Sequence, residues 1–155
     1  MTFHPVELAP FLDPARVLVL PTHIVNRRDA LVALAEITAN GFSAKDRSGF
    51  LSALFDREDV ATTAIGGGIA LPHARLPHLP ACLVTIGISH GGIAYDARDG
   101  QPVHLVLLLA ARIQERVEHL RLMATLAERL RRPGLVQQIL SAPDGAAVVQ
   151  VLAAS

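Results

Sequence analysis

The chain has 155 residues, 51% of them apolar, a length and composition suited to one domain built on one core. Lys and Arg number 14 and Asp and Glu also 14, so no global field draws the protein to nucleic acid or to an anionic membrane. The single cysteine, Cys82, excludes an intrachain disulfide and a Cys-based zinc cluster, and no run approaches the roughly 18 uncharged apolar residues of a membrane span.

Met1 to Pro10 lacks a basic region followed by a long apolar stretch, so a reducing, cytoplasmic home is expected. Asn26 is placed to cap a helix whose apolar positions Leu31, Leu34 and Ile37 recur at helical spacing, with Gly41 ending it. Ser43 is placed to cap a second helix, with Phe50, Leu51, Leu54 and Phe55 as its inward stripe and Arg57 in its last turn. Ile65 to Leu71 and Cys82 to Ser89 read as short strands, with Cys82 a small core residue, and the almost unbroken apolar run Val103 to Ala110 suits a strand covered on both faces. Leu120, Met123, Ala124, Ala127 and Leu130 predict an amphipathic helix stopped by Arg132-Pro133-Gly134. The densest cations, Arg129, Arg131 and Arg132 beside Arg121, fall near the end of that helix, where positive charge complements the dipole, and are expected to form a solvated face. Two short helices, about Leu135 to Leu140 and Asp144 to Leu152, close the chain. Helices at both ends of a strand cluster, with strand-to-strand steps that lack helices, predict a single α/β layered domain over residues 1–155 with a mixed sheet.

The stretch Thr62-Thr63-Ala64-Ile65-Gly66-Gly67-Gly68-Ile69-Ala70-Leu71-Pro72-His73 carries the chemistry. Three glycines in a row make positive φ accessible and let backbone N–H groups approach a ligand closely, which suits an anion. Pro72 fixes its own φ and biases Leu71 toward extended backbone, so the chain enters His73 with few conformational choices left. A neutral imidazole nitrogen is nucleophilic near pH 7 when the other nitrogen is held by a hydrogen bond. No Gly-Lys-Ser/Thr follows the glycines and no G-x-G-x-x-G is present, which separates the motif from nucleotide-binding loops. The other histidines, His4, His23, His78, His90 and His104, have no compact metal-ligand spacing.

The run T-x-I-G-x-G-I-A-L-P-H resembles the active-site signature of enzyme IIA components of the bacterial phosphotransferase system, in the fructose, mannitol and nitrogen-regulatory branch. Ile93 to Val103 and Glu118-His119-Leu120 are similar to later stretches of the same family, and the resemblance extends over nearly the whole chain. It implies the mannitol-type enzyme IIA fold, a mixed β-sheet flanked by helices on both sides. It also implies a phosphocarrier whose acceptor is His73, through Nε2, with Arg57 stabilising phosphoryl charge and His119 bonding the phosphoryl oxygens. Around them the hydroxyls of Thr62 and Thr63 and the backbone N–H groups of Gly66, Gly67 and Gly68 are expected as phosphoryl-binding donors.

The implied donor is an HPr-type phosphocarrier protein, and the implied acceptor a regulatory protein target or an enzyme IIB. Neither cofactor nor metal is implied, and neither nucleic acid nor membrane insertion is expected. A lone chain of this length favours the nitrogen-regulatory type, with a sugar-specific fructose- or mannitol-type enzyme IIA as the close alternative. Ala64, Gly67 and His104 depart from the family pattern, where a glycine, a polar residue and an aspartate are usual. These departures leave a binding-only regulatory module, without transfer, as a further alternative.

Overall fold

The computed structural model describes residues 4–77, 79 and 81–154; His78 lies outside the described residues, as do Met1 to Phe3, Pro80 and Ser155. Among the described residues six strands form one sheet: β1 (Val17–Val19), β2 (Ala64–Gly66), β3 (Ile69–Ala70), β4 (His73–Leu76), β5 (Leu83–Ile93) and β6 (Val103–Arg112). Their order is β1-β5-β6-β3-β2, with β4 also paired to β6. Pairing is mixed: β5 and β6 are antiparallel, whereas β1 runs parallel to β5, and β3 and β4 run parallel to β6.

β6 is central and buried on both faces, which is why its sequence is nearly all apolar. Alternation sends Leu105, Leu107, Leu109 and Ala111 into one core and Val106, Leu108 and Ala110 into another. Against the first core pack α3 (Arg116–Leu130), α4 (Leu135–Leu140) and α5 (Gly145–Ala153), through Leu122, Leu126, Leu130, Ile139, Val148 and Leu152. Against the second pack α1 (Arg27–Thr38) and α2 (Ala44–Val60), through Leu31, Leu34, Phe50 and Leu54. The result is the expected mixed sheet with helices on both sides.

Local chemistry sets the helix starts. The Asn26 side chain accepts from the Asp29 N–H at 2.8 Å, Ser43 Oγ from the Asp46 N–H at 3.1 Å and Asp144 from the Ala147 N–H at 2.9 Å, each satisfying a donor that the first turn leaves free. Helix α1 stops at Thr38, and Gly41 takes φ +90° in the turn beyond it.

Three expectations need correction. The stretch Ile65 to Leu71 is two strands folded into a tight hairpin, because Gly66 at the end of β2 and Gly67 and Gly68 in the turn to β3 all take positive φ. The phase of α3 is also different: His119, Leu122, Thr125, Leu126, Arg129 and Leu130 face inward, Met123 and Ala127 are half-buried, and Leu120 is 55% exposed. Finally, Arg129 is no part of a solvated basic face. Its guanidinium is buried and donates to the Leu152 and Ala153 carbonyls at 3.0 and 3.3 Å, closing the C-terminal end of α5, while Arg121, Arg131 and Arg132 are exposed.

Candidate functional site

β3 and β4 lie end to end along the same edge of β6 and are broken at Leu71-Pro72. Pro72 has no N–H for a ladder, but its carbonyl accepts from Leu109 N–H at 2.9 Å. The Leu71 N–H turns to the Thr63 carbonyl at 3.0 Å, and the Leu71 carbonyl meets Nδ1 of His73 at 3.0 Å. A carbonyl can only accept, so Nδ1 carries the proton and Nε2 keeps its lone pair. Proline and the strand break thus choose the tautomer of the histidine that follows.

His73 is half-buried, and burial pushes its pKa below the usual imidazole range. The Leu71 hydrogen bond opposes that shift, Arg57 and Arg75 add to it, and Glu58 opposes it. The ring is therefore neutral at pH 7. His119, carried by α3, stands beside it with ring centroids 5.3 Å apart and planes tilted by 55°. His119 is only 4% exposed; burial first, then His73 and Arg75, lower its pKa to about 4, and its buried Nδ1 has no hydrogen-bond partner among the described residues.

Both imidazoles line a cleft of about 680 Å³ with Arg57, Arg75 and Arg116. Arg57 comes from the last turn of α2, where its Nη1 also donates to the Ala61 carbonyl at 2.9 Å; it serves the helix end and reaches the cleft. Arg75 lies two residues after His73 on β4 and so shares its face of the sheet. Arg116 opens α3, and Arg116, His119, Leu120 and Met123 form the face of that helix toward the cleft. Arg75 and Arg116 were missed from the sequence because neither belongs to a motif; the period-two step from His73 to Arg75 was the one available signal.

The other expected donors are elsewhere. Gly68 accepts from the N–H groups of His104 and Leu105, whereas His73 is in register with Leu109, so roughly 13 Å of strand separates the glycine turn from His73. The Gly67 N–H is taken by the Asp99 carboxylate at 3.1 Å. Thr62 Oγ1 donates to the Tyr95 carbonyl at 3.2 Å and accepts from the Ala64 N–H at 3.2 Å. Thr63 Oγ1 bonds the Glu58 carboxylate and lies 3.0 Å from the Tyr95 hydroxyl. The structure therefore brings His73, Arg57 and His119 together, but not Thr62, Thr63, Gly66, Gly67 or Gly68, none of which lines the cleft.

The threonines instead build a buried network. The Tyr95 hydroxyl donates to Oε1 of Glu58 at 3.1 Å, and Arg27 approaches Oε2 at 3.6 Å. Burial, followed by the Glu58 charge, raises the Tyr95 pKa far above the usual phenol range. This network ties the end of α2, and so the root of Arg57, to the segment after β5. Tyr95→Phe removes one donor to a buried carboxylate and is expected to cost about 1–2 kcal/mol in chemical denaturation.

The buried histidines make stability pH-dependent. Unfolded, His119 titrates near 6.5; folded, it titrates near 4, so between those values the unfolded chain binds more protons. The stability from this burial is complete above pH 6.5 and is lost as pH falls toward 4. The urea midpoint is expected to drop over that window, with a shallower slope in His119→Gln.

Cys82 Sγ and the carboxylates of Glu115 and Glu118 lie within 4.8 Å of one another. Glu115 is paired with Arg112, and burial raises the Cys82 pKa, which disfavours the thiolate a metal requires.

The chain matches the family model described as "Phosphoenolpyruvate-dependent sugar phosphotransferase system, EIIA 2" over residues 11–155. It is 35% identical over 136 residues to a nitrogen regulatory protein of Bradyrhizobium diazoefficiens, covering 87% of this chain and 88% of that protein. It is 34% identical over 107 residues to the fructose-specific EIIABC component of Bacillus subtilis, covering 69% of this chain but only 17% of that longer protein. Among solved structures it resembles the nitrogen regulatory protein IIA-Ntr of Neisseria meningitidis, with a TM-score of 0.84, 20% identity and coverage of 94% of this chain and 98% of that one. IIA mannitol from Escherichia coli superposes with a TM-score of 0.73 at 19% identity, covering 91% of this chain and 98% of that one. The chain belongs to the enzyme IIA type 2 family of the phosphoenolpyruvate-dependent sugar phosphotransferase system.

Proposed function

We propose that this protein is a phosphocarrier that accepts a phosphoryl group on Nε2 of His73 from an HPr-type protein and acts in nitrogen or metabolic regulation through its phosphorylation state. One observation carries the reading: Nδ1 of His73 is committed to the Leu71 carbonyl, so its neutral ring offers Nε2 to a cleft lined by three arginines and a second histidine. Phosphoryl transfer asks mainly for alignment and charge stabilisation, which is what such a cleft supplies.

In the transfer, the Nε2 lone pair forms the new N–P bond as the donor's P–N bond breaks and its electron pair returns to the donor nitrogen. The Nδ1 proton stays on the Leu71 hydrogen bond, so no base is needed. Arg57 and Arg75 balance the charge of the phosphoryl oxygens, and a His119 N–H donates to one of them. Acceptance adds about two negative charges to a cleft lined by no carboxylate among the described residues, which is enough to change what binds there.

The nitrogen-regulatory type is favoured by the similarity to the Bradyrhizobium protein, which this chain matches over most of both lengths. A sugar-specific role with transfer to an enzyme IIB is the second reading. A fructose-specific EIIA component of Haloferax volcanii, 28% identical over 92% of both chains, favours it, as does the fold's likeness to IIAMTL in complex with phosphorylated enzyme IIBMTL.

Intact mass after incubation with phosphoenolpyruvate, enzyme I and the HPr-type carrier tests the proposal. A gain of one phosphoryl group, about 80 Da, that is lost in acid supports it. No gain with donors that phosphorylate a control enzyme IIA leaves a binding-only module.

A further inference from the structure

Arg129 lies in the last turn of α3 and is 6% exposed. A buried charge ordinarily has a charged partner, because the low-dielectric interior penalises it otherwise. Among the described residues no carboxylate lies within 4.0 Å of Arg129, although the more exposed Arg16, Arg27, Arg112 and Arg132 each have one. Its two hydrogen bonds among those residues both leave from Nη1, to the Leu152 and Ala153 carbonyls, and its buried Nε has no partner there. The α5 carbonyls supply only the partial negative charge of a helix end, which leaves much of the guanidinium charge uncompensated.

A guanidinium is flat, and its five N–H groups point along fixed edges. With Nη1 committed to α5, the edge made by Nε and Nη2 remains, and such an edge matches the two oxygens of a carboxylate. Arg129 lines a cavity of about 340 Å³ together with the N-terminal segment and Ala153 of α5. The Val6 N–H donates to Thr125 Oγ1 at 3.0 Å, one turn before Arg129, and so holds that segment against α3. Val6, Leu8, Ala9 and Ala153 make the walls apolar, and Glu7 is the other charged residue among the described ones. None of these residues lines the His73 cleft, and His119 lies ten residues away along α3, about 15 Å.

We propose that Arg129 anchors a small aliphatic monocarboxylate in this cavity, a second binding site that does not depend on the phosphocarrier reading. The carboxylate bonds the edge made by Nε and Nη2, and the hydrocarbon chain lies along Val6, Leu8 and Ala9. One negative charge matches one guanidinium. A phosphate dianion brings a second charge, which Glu7 opposes, and has no apolar part to cover the walls.

Butyrate is the probe. Isothermal titration calorimetry of the whole chain, at constant ionic strength with chloride as the balancing anion, is expected to give a Kd of about 1 mM. The Nε–H resonance of Arg129 is expected to move as butyrate saturates. Arg129→Gln should lose the binding, but it also releases the end of α5, so a second variant carries the decision. Ala9 is exposed and lines the cavity, and Ala9→Phe fills that space with Arg129 untouched. It is expected to weaken butyrate about tenfold, whereas Glu7→Gln is expected to tighten it about threefold at low salt.

No saturable heat up to about 20 mM butyrate, or shifts that leave the Arg129 resonance in place, would overturn the proposal. An unchanged Kd in either variant would do the same. So would phosphate binding as tightly as butyrate, which would mark a general anion site. None of these readouts involves phosphoryl transfer, so a failure here and a failure of the phosphocarrier reading are told apart.

Discussion

His73→Ala is expected to abolish phosphoryl acceptance while leaving the fold intact. His73 is half-buried at the start of β4, and among the described residues its side chain makes one hydrogen bond, to Leu71, so truncation removes little packing and frees one carbonyl near the cleft. His119 does not substitute for it. That ring is 4% exposed and sits deeper than His73, so an incoming phosphorus meets His73 first. The effect should therefore be the full loss of acid-labile phosphate rather than the 10²–10³-fold slowing expected from deleting one charge-stabilising donor such as Arg57. Incorporation of labelled phosphate, measured beside circular dichroism of the variant, checks both halves of the statement. Labelled His73→Ala would move the acceptor elsewhere.

The largest expected loss of stability comes from the centre of the sheet. Leu107 is fully buried on β6, which β5 flanks on one side and β3 and β4 on the other, and its side chain enters the core beneath α3, α4 and α5. The strand cannot shift to fill the space without breaking its register with β5, where Leu107 pairs with Ile86. Leu107→Ala should cost about 3–5 kcal/mol, the upper part of the range for buried leucines, and lower Tm by roughly 10 °C. Differential scanning calorimetry checks it; a loss under 1 kcal/mol would mean that this core relaxes far more than its strand pairing allows.

The features most legible in the sequence were those written in local chemistry. Asn26 and Ser43 cap α1 and α2 as read, Phe50 and Leu54 face inward, and the apolar run at Val103 becomes the central strand. β1 escaped because three residues at a sheet edge carry too little pattern, and β4 because His73-Ala74-Arg75-Leu76 is not an apolar run. Its place in the sheet comes from pairing with β6, which is a tertiary fact. The phase of α3 was misread because that helix has two apolar stripes: Leu122, Leu126 and Leu130 face the core, while Leu120 and Met123 face the cleft. The second stripe was part of the site mistaken for part of the core.

The same distinction explains the site. His73, Arg57 and His119 come from three separate elements, and the family resemblance, not spacing, is what connected them. The hydroxyls of Thr62 and Thr63 were read as free donors because the sequence gives no sign of Glu58 and Tyr95, which occupy them from the end of α2 and the segment after β5. The three glycines do make a positive-φ turn, yet its register on β6 places it far from His73. A glycine-rich run before a histidine need not line that histidine's cleft; here it turns the chain so that Leu71 can hold the His73 ring.

The central claim is that Leu71 and Pro72 make Nε2 of His73 the acceptor. The most direct test is ¹⁵N–³¹P NMR of the phosphorylated protein labelled with [¹⁵N]histidine. The account predicts phosphorus coupled to Nε2 of His73, with Nδ1 still protonated. Phosphorus on Nδ1, or on His119, would contradict it.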